Sequence, residues 1–159
     1  VEDLNRPIVL VADEDSVEEV IVRCSRVGYD NVVGYLKGGV DAWKQNGGEI
    51  QTITSISPEE FAIRHSERTI LDVRKPGEYE AEHVDKAQTF PLDFIHTNVN
   101  SLDKDKEYFV HCKGGYRSMI ASSILKSNGV ENIIEIKGGM DAILKTDTPT
   151  TEYVCPSTL

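Results

Sequence analysis

The 159-residue sequence is poor in cysteine, in positive charge and in long apolar runs. Its three cysteines, Cys24, Cys112 and Cys155, are far apart and odd in number. That pattern fits neither a disulfide framework nor a paired-cysteine zinc site, and it favours a reducing compartment, so a cytoplasmic location is expected. Lys and Arg number 17 against 27 Asp and Glu, a net charge of -10. A surface of that sign repels phosphate backbones, so neither nucleic acid nor an anionic membrane is an expected partner. No apolar run can span a bilayer, and no segment has the basic start and apolar core of a signal peptide. His65, His83, His96 and His111 are scattered, and neither a metal nor a cofactor is expected. Lys37-Gly38-Gly39 and Lys137-Gly138-Gly139 lack the spacing of a nucleotide-binding loop and read as strand-to-helix turns. The chain starts at Val1 rather than Met, which reads as a fragment of a longer protein.

A repeat organises what is present. Lys37-Gly38-Gly39-Val40-Asp41-Ala42 recurs as Lys137-Gly138-Gly139-Met140-Asp141-Ala142, and Gly28 to Val33 is matched by Gly129 to Ile134. A period of about 100 residues points to domain duplication rather than a solenoid. Ile8 to Val11 reads as a buried strand; Val17, Val20, Ile21 and Cys24 then fall at helical spacing before Gly28. Asn31 to Leu36 reads as the next strand and Val40 to Gln45 as a short helix. The second copy repeats this order, with strand Tyr108 to Val110, a helix face of Ile120, Ala121, Ile124 and Leu125, and strand Ile133 to Ile136.

Only the second copy has a front half. Ser57-Pro58-Glu59-Glu60 is a capping-box start, Thr69 to Val73 a strand, and Pro76 opens a short helix. Strands alternating with helices predict an α/β fold, a mostly parallel central sheet flanked by helices. A boundary falls near Gly48 to Ser55, giving a partial unit over 1–50, a complete domain over 51–147 and a tail over 148–159.

The chemistry concentrates in Cys112-Lys113-Gly114-Gly115-Tyr116-Arg117-Ser118, between a strand and a helix. The first N–H groups of a helix lack internal partners, and with the helix dipole and two glycines they form an anion cradle. A cysteine at its mouth has its thiolate favoured, and Arg117 and Lys113 can hold an anionic donor. His111 precedes Cys112 on a strand, faces the other way, and reads as a core histidine rather than a base. Cys24 reads as a small buried hydrophobe, and Cys155 lies in a polar tail where a thiol need have no role.

These motifs together resemble the rhodanese-like sulfurtransferase family. Cys112 to Ser118 is similar to its active-site loop. Leu71-Asp72-Val73-Arg74, then Glu78-Tyr79 and His83-Val84, resembles its front-half signature, and Gly138-Gly139 its closing one. The resemblance covers roughly residues 52–145. It implies that Cys112 takes the outer sulfur of thiosulfate or a low-molecular-weight persulfide such as glutathione persulfide. The resulting Cys112 persulfide then passes that sulfur to a thiol or cyanide, a ping-pong reaction. Lys113 to Ser118 supply the cradle; Asp72, Arg74 and Glu78 take supporting positions. Phosphatases of related folds place five residues between Cys and Arg where this loop has four, which argues against phosphatase or arsenate reductase activity. A persulfide carrier or regulatory module of a larger sulfide-oxidising protein is the alternative.

The sequence departs from the family pattern at Glu82 and Lys86, where glycine is common, and at Ile143, where tryptophan is frequent. In the first copy, the positions opposite the Cys112 loop are Val11 to Ser16, with three carboxylates, no thiol and no glycine, so that copy is expected to be inactive. A tandem of inactive and active modules resembles the C-terminal part of bacterial fusion proteins that begin with a metallo-β-lactamase-fold persulfide dioxygenase. That resemblance implies such a domain upstream.

Overall fold

The structure is a computed structural model that describes residues 3–155. Val1 and the end of the expected 148–159 tail lie outside the described residues. The backbone divides into two compact units, residues 1–51 and 52–159.

The first unit runs β1 (Ile8–Leu10), α1 (Val17–Arg26), β2 (Val32–Tyr35) and α2 (Gly39–Gln45). β1 and β2 pair in parallel, with Ile8 opposite Val32. A short 3-10 turn, Glu14–Ser16, leads into α1, and the helix closes with the Tyr29 N–H on the Cys24 carbonyl.

The second unit contains β3 (Thr54–Ile56), α3 (Pro58–Arg64), β4 (Thr69–Asp72), α4 (Pro76–Ala81) and β5 (Gln88–Thr89). It continues with α5 (Ile95–Asn98), β6 (Tyr108–His111), α6 (Tyr116–Ser127), β7 (Ile133–Ile136) and α7 (Gly139–Ile143). The strands form one sheet in the order β3-β7-β6-β4-β5, and all its pairs are parallel. α3 starts as its sequence dictates, with Pro58 at the first turn and the Ser57 hydroxyl accepting the Glu60 N–H at 3.2 Å.

Successive strand residues point to opposite faces, so this sheet carries a core on each side. On one face Leu71, Tyr108, Val110 and Ile133 pack with Ala121 and Leu125 of α6. On the other, Ile70, Phe109, Ile134 and Ile136 pack with Phe61 of α3 and with Met140 and Ile143 of α7. Phe61 and Phe109 meet edge to face, with ring centroids 5.2 Å apart. Ile143, where the family resemblance leads one to expect tryptophan, is fully enclosed in this second core. Among the described residues, no helix is long and apolar enough to cross a membrane.

The described part of the tail is pinned rather than loose. Thr150 bridges Val84 in antiparallel fashion, Thr151 donates its N–H to the His83 carbonyl at 2.9 Å, and Val154 donates to Ala81 at 2.7 Å.

Candidate active site

β6 ends at His111, and the chain turns sharply over Lys113 to Gly115 before α6 begins at Tyr116. Parallel sheets gather their loops at the carboxyl ends of the strands, and this loop sits beside the central pair β6 and β7. Cys112 lies at its floor, 1% exposed, on the face covered by α6. The Gly115 N–H donates to its Sγ at 3.1 Å. The Ser118 Oγ is 3.6 Å from the same sulfur. The sulfur thus accepts from an N–H, while its thiol donates to the Ser118 hydroxyl. Lys113, Gly114 and Tyr116 form the exposed rim, with Tyr116 81% exposed.

The loop is held from below by the start of α7. Met140 N–H donates to the Cys112 carbonyl at 2.7 Å, and Asp141 N–H to the Lys113 carbonyl at 3.0 Å. These are N–H groups that a helix start leaves without internal partners. The approach requires glycine at 139, whose φ is +54° and whose added Cβ would overlap the Cys112 and Lys113 carbonyls. The closing Gly138-Gly139 therefore acts on the nucleophile loop directly.

Arg117 does not face open solvent. Its two terminal nitrogens donate to Glu78 at 2.6 and 2.9 Å, a fork-to-fork pair between α6 and α4. Hydrogen bonding from Arg117 holds the Glu78 carboxyl down at about 2, and the same pairing raises Arg117. Asp72 and Arg74 form a second pair in the interior. The Arg74 guanidinium donates to both Asp72 oxygens, with its closest contact at 2.6 Å, and reaches the Glu82 carbonyl at 2.7 Å. This clamp ties the end of β4 to the end of α4. His111 lies across the sheet from Cys112, fully buried, its Nε2 3.8 Å from Asp72 and without a hydrogen-bond partner. Desolvation pushes it below the ordinary histidine range, so it is a neutral core residue.

The structure thus brings Cys112, Gly115, Arg117, Ser118 and Glu78 together, and sets Asp72 and Arg74 one step behind them. A cavity of about 630 Å³ opens beside the loop, lined among others by Arg74, Glu78, Lys113, Met140, Leu144 and Tyr153. Lys86, another departure from the family pattern, keeps a left-handed backbone at φ +62° despite its side chain.

Sequence reasoning passed over Glu135. This β7 residue is 3% exposed, and its Oε1 lies 2.9 Å from the Ser118 hydroxyl, beneath the loop. The signal was a lone carboxylate inside the apolar strand Ile133-Ile134-Glu135-Ile136.

In the first unit a cavity of about 580 Å³ is lined by Asp13, Glu14 and Asp41 together with Gly38 and Gly39. No group of three or more His, Cys, Asp or Glu there or elsewhere among the described residues is arranged to hold a metal ion.

Comparison with known proteins agrees with this geometry. Residues 57–146 match the model of the rhodanese-like domain. A Bacillus subtilis protein named uncharacterized protein YqhL is 32% identical over 85 residues, 54% of this chain and 68% of that one. The putative sulfur carrier protein YrkF of the same organism is 27% identical over 106 residues, 67% of this chain but only 57% of its own length. Among solved structures, a rhodanese-related protein of Thermoplasma volcanium superposes with a TM-score of 0.58 at 28% identity, covering 62% of this chain and 97% of that one. The matched segment takes in more than half of the chain, including the Cys112 loop, both of its supporting ion pairs and the α7 start that holds it, and the chain belongs to the rhodanese-like domain family.

Proposed function

We propose that the chain is a sulfurtransferase whose nucleophile is Cys112. The observation that carries this reading is the Cys112 sulfur at the floor of its loop, with the Gly115 N–H aimed at it and Arg117 locked by Glu78. The Cys112 thiolate attacks the outer sulfur of thiosulfate or a low-molecular-weight persulfide; the donor's S–S bond breaks and sulfite or a thiolate leaves. A thiol acceptor then attacks the outer sulfur of the Cys112 persulfide, which returns Cys112 as thiolate. Lys113, exposed at the rim, attracts the anionic donor, and the cavity beside the loop receives the body of the donor or acceptor. Arg117 sets the loop's shape through Glu78 rather than gripping the donor itself. Asp72 and Arg74 hold the neighbouring backbone.

A carrier role is the second reading, favoured by the name of the relative YrkF. In that case Cys112 accepts sulfur from a partner protein and turns over poorly with free donors. The first unit we read as a partial copy of the same fold without a nucleophile. Its order β1-α1-β2-α2 parallels β6-α6-β7-α7.

Intact-mass spectrometry tests the proposal. The reduced chain is incubated with thiosulfate or glutathione persulfide, with Cys112→Ser as control. One added sulfur on the parent, absent from Cys112→Ser and released by cyanide or a thiol, is the expected result. No adduct from either donor on the folded chain would overturn the enzyme reading and leave the carrier one.

A further inference from the structure

Among the described residues, Glu135 is a buried carboxylate on the face of the sheet covered by α6. Its strand neighbours Ile133, Ile134 and Ile136 are all buried, and the α6 hydroxyls of Ser118 and Ser122 are fully buried as well. Burying a carboxylate in such a place is unfavourable unless it is bonded or put to use. Its carboxylate accepts from the Ser118 hydroxyl, 2.9 Å away, and that hydroxyl is in turn 3.6 Å from the Cys112 sulfur. Sulfur, hydroxyl and carboxylate therefore form a chain leading inward from the loop. All three residues are at most 3% exposed.

The proton inventory gives this chain two complete arrangements. A serine hydroxyl has one proton to donate and can accept in return. With Cys112 as thiol, its S–H donates to Ser118, and Ser118 donates to the Glu135 carboxylate or to the Gly115 carbonyl at 2.8 Å. With Cys112 as thiolate, Ser118 donates to sulfur and a protonated Glu135 donates to Ser118. With Ser118 donating to Glu135 in the first, the two states differ only by a proton shift along the chain. The start of α6, with the Gly115 N–H on sulfur, favours the negative charge in the second.

We propose that Glu135 is the internal proton acceptor for Cys112, drawing the thiol proton through Ser118 as the sulfur becomes nucleophilic. One proton passes from sulfur to the Ser118 oxygen while the Ser118 proton passes to Glu135, and the negative charge moves outward from the carboxylate to sulfur. Glu135 is thus a positioning residue that acts through Ser118. Of the other charged groups near the loop, Arg117 is bound to Glu78 and Asp72 to Arg74, His111 lies on the opposite face, and Lys113 and Asp141 are exposed. The inference rests on the reading of Cys112 as nucleophile.

The test is the rate at which iodoacetamide alkylates Cys112 across neutral to alkaline pH, followed on the Cys112 peptide by mass spectrometry. Glu135→Gln keeps the shape and both hydrogen-bonding roles of the side chain but cannot take up a proton. The expected result is alkylation slower than the parent by about tenfold or more near neutral pH, the gap closing as hydroxide takes over at alkaline pH. Ser118→Ala slows it similarly, and the double variant is no slower than the slower single one, because both lie on one path. Alkylation of Glu135→Gln at or above the parent rate overturns the proposal, since removing a negative charge near sulfur does no more than that. If Glu135→Gln does not fold, Ser118→Thr and Ser118→Ala carry the test. Thr keeps the parent profile and Ala loses it, and indistinguishable profiles overturn the relay. Alkylation needs no sulfur donor, so a parent that takes up no sulfur while Glu135→Gln is slowed sinks the sulfurtransferase reading and leaves the relay standing.

Discussion

β1-α1-β2-α2 and β6-α6-β7-α7 run through the same elements and close their long helices with the same backbone bonds. Tyr29 N–H meets the Cys24 carbonyl at 3.0 Å, and Val130 N–H meets Leu125 at 3.1 Å. Their burial differs sharply. In the second unit β6 lies between β4 and β7, and β7 between β3 and β6, with helices over both faces. Among the described residues of the first unit each strand has a single neighbour, Leu10 and Val17 are the buried apolar residues, and Val9 and Val33 are more than half exposed. The same local signals make the same elements in both places. What turns an element into part of a core is the set of neighbours that cover it.

Truncating one large side chain in each unit sharpens that contrast most strongly. Phe109, fully enclosed between Phe61 and the α7 residues, loses about 3–5 kcal/mol on replacement by alanine. Val9→Ala, at an exposed position on β1, changes stability by less than about 0.5 kcal/mol. Urea unfolding of the two variants against the parent measures both. Comparable losses would mean that the first unit hides an apolar contact that the described residues do not show.

The repeated Gly-Gly turn gives a second, smaller contrast. Gly38 and Gly138 adopt φ of +73° and +74°, and in each an added Cβ would press on an alanine four residues later, Ala42 or Ala142. The second glycines part company. Gly39 has φ +58° with open space around it, whereas Gly139 has φ +54° and backs onto the Cys112 and Lys113 carbonyls. Gly39→Ala therefore bears backbone strain alone, on the order of 1 kcal/mol. Gly139→Ala bears that strain plus about 1–3 kcal/mol of overlap with the loop. Its sulfur uptake at Cys112 falls as the α7 N–H groups are pushed off the loop carbonyls. Equal urea midpoints and undiminished uptake would show that the loop does not lean on α7.

Much of this was legible in the sequence, for reasons that mark where legibility ends. Ile133 to Ile136 and the Cys112-to-Ser118 loop announce themselves because an apolar run and a turn-rich loop are local patterns. The parallel sheet followed from strands alternating with helices. Pairings across elements were not legible. Glu78 and Arg117 stand 39 positions apart, and only the approach of α4 to α6 joins them. Glu135 looked like an imperfection in a strand until the loop above it was in place. β5 and α5, two and four residues long, are too short to carry a period. The α1 stripe misled in the other direction: Val17 is buried, but Val20 and Cys24 are only half-buried and Ile21 is 40% exposed.

The smallest expected effect separates the two units by the work their ion pairs do. Glu19 and Arg23 on α1 form a pair whose side chains are 64% and 72% exposed, and such a pair adds little to stability. Glu78 and Arg117 are each about 30% exposed and are doubly bonded. The Glu78 carboxyl sits at about 2 when folded, against an ordinary value of 4.5. The folded chain thus keeps Glu78 ionised where the unfolded chain has already taken up a proton. A depressed carboxyl contributes stability that is fully present above its unfolded value and is lost as pH falls toward its folded one. The pair's contribution is therefore complete near neutral pH and fades between about pH 5 and pH 2. Glu78→Gln removes it, so the variant is less stable than the parent near neutral pH and converges with it in acid, whereas Glu19→Gln follows the parent throughout. Urea midpoints measured at neutral pH and near pH 3 decide the point. A Glu78→Gln deficit that stays constant down through acid would mean that the Arg117 pairing, and with it the brace on the Cys112 loop, is not made in solution.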